Sequence, residues 1–193
     1  MGSIKLVGVA CKFVAVACVL VLGAAACGGS DDTAANRRWA RTFCTSLHTW
    51  QTSTTSSSEE LQTYLKGATL DTTATKARLT EYLQGVTDST DRLVQEFGKA
   101  GAPAIEADNK AVRTLEEGSA AVKAAIADAK TAVDALPVDD AAAFQAGITA
   151  ANARLREGFA SFGDALDRIN RLDSDGQLIE AERSVAACRP LIS

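Results

Sequence analysis

Apolar residues recur along this chain at helical spacing and almost nowhere alternate as they would in a strand. Trp39, Phe43, Leu47 and Trp50 are spaced 4, 4 and 3, which predicts a first helix. It runs into a Ser/Thr stretch at 52–58. There Ser56-x-x-Glu59 and Ser57-x-x-Glu60 both fit a capping box, so a short helix restarting and reaching Lys66 is expected. A continuous helix through the stretch is the competing reading. Leu79, Leu83, Val86, Thr90, Leu93 and Phe97 predict a second helix, capped by Thr72 or Thr73 and ended by Gly98 and Gly101. Pro103 suits the first position of a third helix, because its missing N–H costs nothing there. Ile105, Val112, Leu115, Ser119, Val122, Ile126, Ala129, Val133 and Leu136 form that helix's seam, with Asp108 as a polar exception. Pro137 stops it.

Asp139 or Asp140 can cap a fourth helix. Phe144, Ile148, Ala151, Leu155, Phe159, Phe162, Leu166 and Ile169 line its face. After a break at 173–176, a final helix carries Leu178, Ala181, Val185 and Cys188 and is ended by Pro190. An isolated amphipathic helix leaves its stripe in water, and short connections favour antiparallel neighbours. The expected fold is all-α: an up-and-down antiparallel bundle of four main helices plus short helical pieces. Mid-helix glycines at 85, 118, 147, 158 and 163 each cost about 1 kcal/mol against Ala, and close helix approach is the expected reason for them.

Composition agrees with helices: aromatics are 5% of the 193 residues and there are three prolines. The amino-terminal segment is different in kind. Lys5 and Lys12 lead into an apolar run from Phe13 to Ala26, too short for a comfortable membrane span. The run ends Ala24-Ala25-Ala26-Cys27-Gly28-Gly29. This junction, the Ala-rich composition and the two-cysteine helical body resemble a small actinobacterial envelope lipoprotein with a lipobox-type signal. The position three residues before the cysteine is Ala24, where a lipobox usually has Leu. The resemblance implies a signal peptide at 1–26, lipidation of Cys27, and residence at the outer face of the cell membrane through the lipid anchor. An ordinary signal peptidase would accept the same Ala-x-Ala bond, and a retained helix is the third reading. Residues 27–36 read as the lipidated cysteine and a flexible tether of at most about 30 Å, and 37–193 as the bundle domain.

Cleavage discards Cys11 and Cys18 and leaves Cys27, Cys44 and Cys188. An odd exported thiol needs an explanation. Lipidation of Cys27 supplies one, and the remaining pair, Cys44 and Cys188, becomes the expected disulfide in an oxidising compartment. After cleavage 18 basic residues face 24 acidic ones, so nothing points to nucleic acid as a partner.

Catalytic chemistry is sparse. His48 is the only histidine, and Thr45 rather than Glu stands three residues before it, so di-iron Glu-x-x-His pairs are absent. No G-x-S-x-G supports a triad, and no phosphate- or dinucleotide-binding glycine loop is present. Arg171 to Glu182 resembles much of an EF-hand loop, with acids at its third, fifth and last places and Gly176 sixth. Arg171 occupies the first place, where a carboxylate is required. A helix–helix turn with Asp as cap is the expected reading. No cofactor, metal or catalytic residue is assigned. The function expected is a non-enzymatic binding or scaffold module facing an envelope protein or wall component; the alternative is a small-ligand or lipid carrier with a pocket inside the bundle.

Overall fold

The computed structural model describes residues 30–67 and 71–192, and these are helical with no strand among them. Residues 1–29, which include the expected signal segment and Cys27, lie outside the described residues. Four long helices, α1 (Ser30–Gly67), α2 (Thr72–Ala100), α3 (Asp108–Asp134) and α4 (Ala141–Leu172), run up and down. Two short helices follow, α5 (Gln177–Ser184) and α6 (Arg189–Ile192), joined by a 3-10 turn at Ala186–Cys188. Each long helix packs on its chain neighbour, α3 and α4 most extensively, while α5 and the 3-10 turn lie against α1.

The α1 helix corrects two expectations. Residues 30–36 form its first turns rather than a tether, and Asn36 is fully buried. The helix also continues through the Ser/Thr stretch, so neither capping box is used. Hydroxyls that compete with a helix in isolation are here absorbed by it. Thr42, Ser46, Thr49 and Thr54 each donate back to the carbonyl four residues earlier.

The other helix ends follow from local chemistry. Asp71, rather than Thr72 or Thr73, caps α2 by accepting from Ala74 N, and Gly101 closes it at φ 68°, a conformation open to glycine. Asp140 caps α4, accepting from Ala142 N and Ala143 N. The third helix starts at Asp108, not at Pro103. Residues 101–107 form a turn instead, held from outside the segment by Asn36. The α3 seam also shifts: Ala111 is buried where Val112 was expected and Val112 is half-buried. The final element breaks at Val185, whose extended backbone (φ −98°, ψ 121°) ends α5. Pro190 therefore does not end a helix but sits in the first turn of α6, where proline is tolerated. Leu178, Ala181, Val185 and Cys188 are nonetheless all buried.

The core carries a continuous aromatic path. Trp39 stacks on Phe43 at 4.6 Å between ring centroids, Phe43 on Phe97 at 4.9 Å, and Phe97 on Phe162 at 6.4 Å. Trp50 meets Phe159 and Phe162 edge-on, both at 5.7 Å. These rings tie α1, α2 and α4 together, and their preference for offset or edge contact adds to the area they bury. Trp50 Nε1–H donates to Thr90 Oγ1 at 3.1 Å, and the Thr90 hydroxyl donates in turn to Val86 O at 2.8 Å.

Glycine sets the spacing of α3 against α4. A Cβ on Gly118 would stand 2.6 Å from Ala165 Cβ, and one on Gly158 would stand 2.3 Å from Ala125 Cβ. Gly163 meets nothing within 4 Å, so close approach does not account for every glycine of the helix.

Candidate functional site

The carboxyl-terminal segment and the amino-terminal turns of α1 close one end of the bundle. Cys44, buried on α1, is bonded to Cys188, buried in the 3-10 turn, with Cα atoms 4.9 Å apart. The bond spans 144 positions and fixes α5 and α6 against α1. Both cysteines that the sequence paired are joined.

Five and eight residues before Cys44, Trp39 and Asn36 hold the same end. Asn36 Nδ2 donates to Ala104 O at 3.0 Å, and Ala104 N–H donates to Asn36 Oδ1 at 2.7 Å. Trp39 Nε1–H donates to Gly101 O at 3.0 Å. The turn after α2 thus has three of its backbone groups satisfied by α1. Sequence reasoning missed Asn36. Its only signal was an uncharged amide standing at helical spacing, three residues before Trp39, on what became the buried face.

Within the Arg171–Glu182 segment, Asp173 acts as a cap for α5. Helix α4 runs through Arg171 to Leu172. Buried Asp173 then turns its Oδ2 onto α5, accepting from Leu178 N at 2.9 Å and Ile179 N at 3.1 Å. A carboxylate at a helix N-terminus satisfies orphan N–H groups and complements the dipole. Glu182, one turn further along α5, is half-buried. Burial, and then the nearby Asp173 charge, raise its pKa from 4.5 to about 7. No group of three metal-ligating side chains occurs among the described residues.

The remaining candidates are dispersed. His48 is exposed on α1, between buried Leu47 and Trp50. Trp39, Phe43, Trp50, Phe144 and Phe162 are core, and Phe159 is half-buried beside it. The space enclosed by Trp50, Leu93, Val122 and Phe162 does not admit a water-sized sphere. A hollow between the 101–107 turn and the α4–α5 turn, beside Glu106 and Asp175, measures about 10 Å³, close to the limit for one water. Among the described residues no helix is long and apolar enough to cross a membrane.

No protein-family model matches the chain, and no curated protein or solved structure matches it. The described residues form a disulfide-closed bundle with a polar outer surface, exposing one large hydrophobic side chain, Val138.

Proposed function

We propose that the protein is an exported lipoprotein, acylated at Cys27, whose helical bundle acts as a non-enzymatic binding or scaffold module at the outer face of the cell membrane. The observation that carries this reading is the Cys44–Cys188 bond. A structural disulfide belongs to an oxidising compartment, and this one consumes every cysteine outside the first 27 residues. Cys27 is then left alone at the end of an export-length apolar run, with small residues on both sides. That is the position a lipid attachment requires. Two or three acyl chains, at about 0.8 kcal/mol per buried CH₂, hold a protein stably at a bilayer where one would not.

The packed interior favours a surface role over the carrier alternative. A drug-sized ligand occupies a cleft of about 300–1,000 Å³, and the hollows described above fall far short of that. The working surface is then the outside of the helices, offered to an envelope protein or a wall component.

Cross-linking in intact cells followed by identification of the adducts tests the binding role. Recovery of one defined envelope partner is the expected result, and recovery of monomer alone contradicts it. Metabolic labelling with an alkyne palmitate analogue tests the anchor independently. Label is expected on the parent chain and absent from Cys27→Ser; equal label on both refutes acylation at this residue.

A further inference from the structure

We infer that the outer face of α1 is a lipid-facing surface that lays the bundle side-on against an anionic membrane. The inference rests on the anchored reading above, but its own evidence is the charge distribution. From Thr33 to Ser58 there is no Asp or Glu, while Arg37, Arg38 and Arg41 are present. Over its whole length α1 is as balanced as its neighbours, with four acids and four bases against four and four in α2, five and four in α3 and three and four in α4. What sets it apart is segregation, its acids being confined to 31–32 and 59–60. In a chain whose overall charge is −4, an acid-free stretch of 26 residues is an asymmetry with a physical consequence.

The stretch is also arranged as a surface. Arg37, Arg41, Thr45, His48 and Thr52 follow one another at spacings of 4, 4, 3 and 4, with Arg38 and Thr49 alongside, and all seven are exposed. They therefore form one stripe along the solvent side of α1, about 22 Å long. The buried residues Asn36, Ala40, Phe43, Leu47 and Trp50 lie on the other side, against the rest of the bundle. None of the three arginines takes part in an ion pair among the described residues, unlike Arg78, Lys99 and Lys123. Asp31 and Asp32 precede the stripe, and Glu59 and Glu60 follow it, so its edges are marked by acids.

Chain length selects the occupant. Two residues separate Cys27 from the first residue of α1, so Arg37 lies within about 21 Å of the anchor point. Guanidinium and hydroxyl groups suit phosphate oxygens, and the nearest array of phosphates to an acylated Cys27 is the bilayer itself. Attraction of this kind falls away within a Debye length, about 8–10 Å at ordinary salt, so the stripe must lie close to the surface to act.

Arginine footprinting with phenylglyoxal, read by mass spectrometry, tests the orientation on the intact protein reconstituted in vesicles. In vesicles containing phosphatidylglycerol, Arg37, Arg38 and Arg41 should react several-fold more slowly than in phosphatidylcholine vesicles, with the difference abolished at high salt. Arg113 on α3 and Arg156 on α4 should react alike in both. Equal reactivity of the α1 arginines in the two lipids overturns the proposal. So does equal protection of Arg113, which would mean an end-on contact, and so does protection by a soluble polyanion but not by vesicles. The N-terminal peptide of the same digest shows whether Cys27 is acylated, so failure of the anchor is read separately. In the full chain bearing Cys27→Ser, each arginine near an anionic surface is worth about fivefold in binding. Arg37→Gln, Arg38→Gln and Arg41→Gln together should therefore lower its low-salt affinity for anionic vesicles at least tenfold. An unchanged affinity, or no binding by the Cys27→Ser parent, equally overturns the inference.

Discussion

Asn36 and Ala104, 68 residues apart, exchange a pair of hydrogen bonds: the side-chain amide of one satisfies both the N–H and the C=O of the other. The first turns of α1 thereby hold the turn that leads into α3. Replacing Asn36 by Ala leaves two backbone groups of the turn without a partner, at about 1–3 kcal/mol for an unsatisfied buried group. Asn36→Ala should lower the urea midpoint accordingly, with a larger loss of amide protection in residues 101–107 than elsewhere. Asn36→Asp keeps the acceptor for Ala104 N–H but loses the donor, and should not restore full stability.

Cys44–Cys188 closes most of the chain into one loop. In the chain-entropy model a loop of this size contributes about 5 kcal/mol, less where the native state is strained. Reduction, or the double substitution to Ser, should lower the melting temperature by roughly 10–20 °C for a domain of this size. The loss should be the same with either treatment, measured by calorimetry with and without reductant.

The two faces of α4 respond oppositely to a methyl group. Gly158→Ala gains about 1 kcal/mol of helix propensity but forces its Cβ against Ala125 and the carbonyl of Ala121. Overpacking of this kind costs typically 1–3 kcal/mol, so the variant should be destabilised on balance. Gly163→Ala meets nothing within 4 Å and should be stabilised by up to about 1 kcal/mol. Chemical denaturation of the two single variants checks both signs.

Glu182 makes the end of the bundle sensitive to pH. Its pKa is raised from 4.5 to about 7 by burial and by Asp173, so the folded state disfavours the charged form. Below 4.5 the group is protonated in both folded and unfolded chains and contributes no dependence. Between 4.5 and 7 the folded chain holds the proton that the unfolded chain has released, so stability falls as pH rises. Above 7 the loss is complete, at most about 3 kcal/mol. Glu182→Gln should abolish this fall while leaving stability at pH 4 nearly unchanged. Urea unfolding at a series of pH values for parent and variant provides the measurement.

The helices that rest on periodicity alone were legible from sequence. All six apolar positions expected in α2 are buried, and Phe144, Ala151, Leu155, Phe162 and Ile169 of α4 are too. What was not legible depends on partners distant in sequence. Pro103 has the local chemistry of a helix start, but Asn36 claims the backbone next to it. On α3, Ala111 rather than Val112 takes the buried place, a one-residue rotation that apolar spacing does not resolve. The Ser/Thr stretch reads as a break, yet α1 runs through it, with Thr54 donating back to Trp50 O. At the candidate site, parity was enough to pair Cys44 with Cys188. The burial of Asn36 and Glu182 depends on their surroundings in the fold, which no spacing rule encodes.

The central claim is that one cysteine of the exported chain anchors it and the other two close it. Non-reducing proteolysis and mass spectrometry of protein taken from the membrane fraction tests this in one experiment. The account predicts a peptide joining Cys44 to Cys188 and an N-terminal peptide that begins at an acylated Cys27. A free thiol at Cys27, or a chain that still carries residues 1–26, would contradict it.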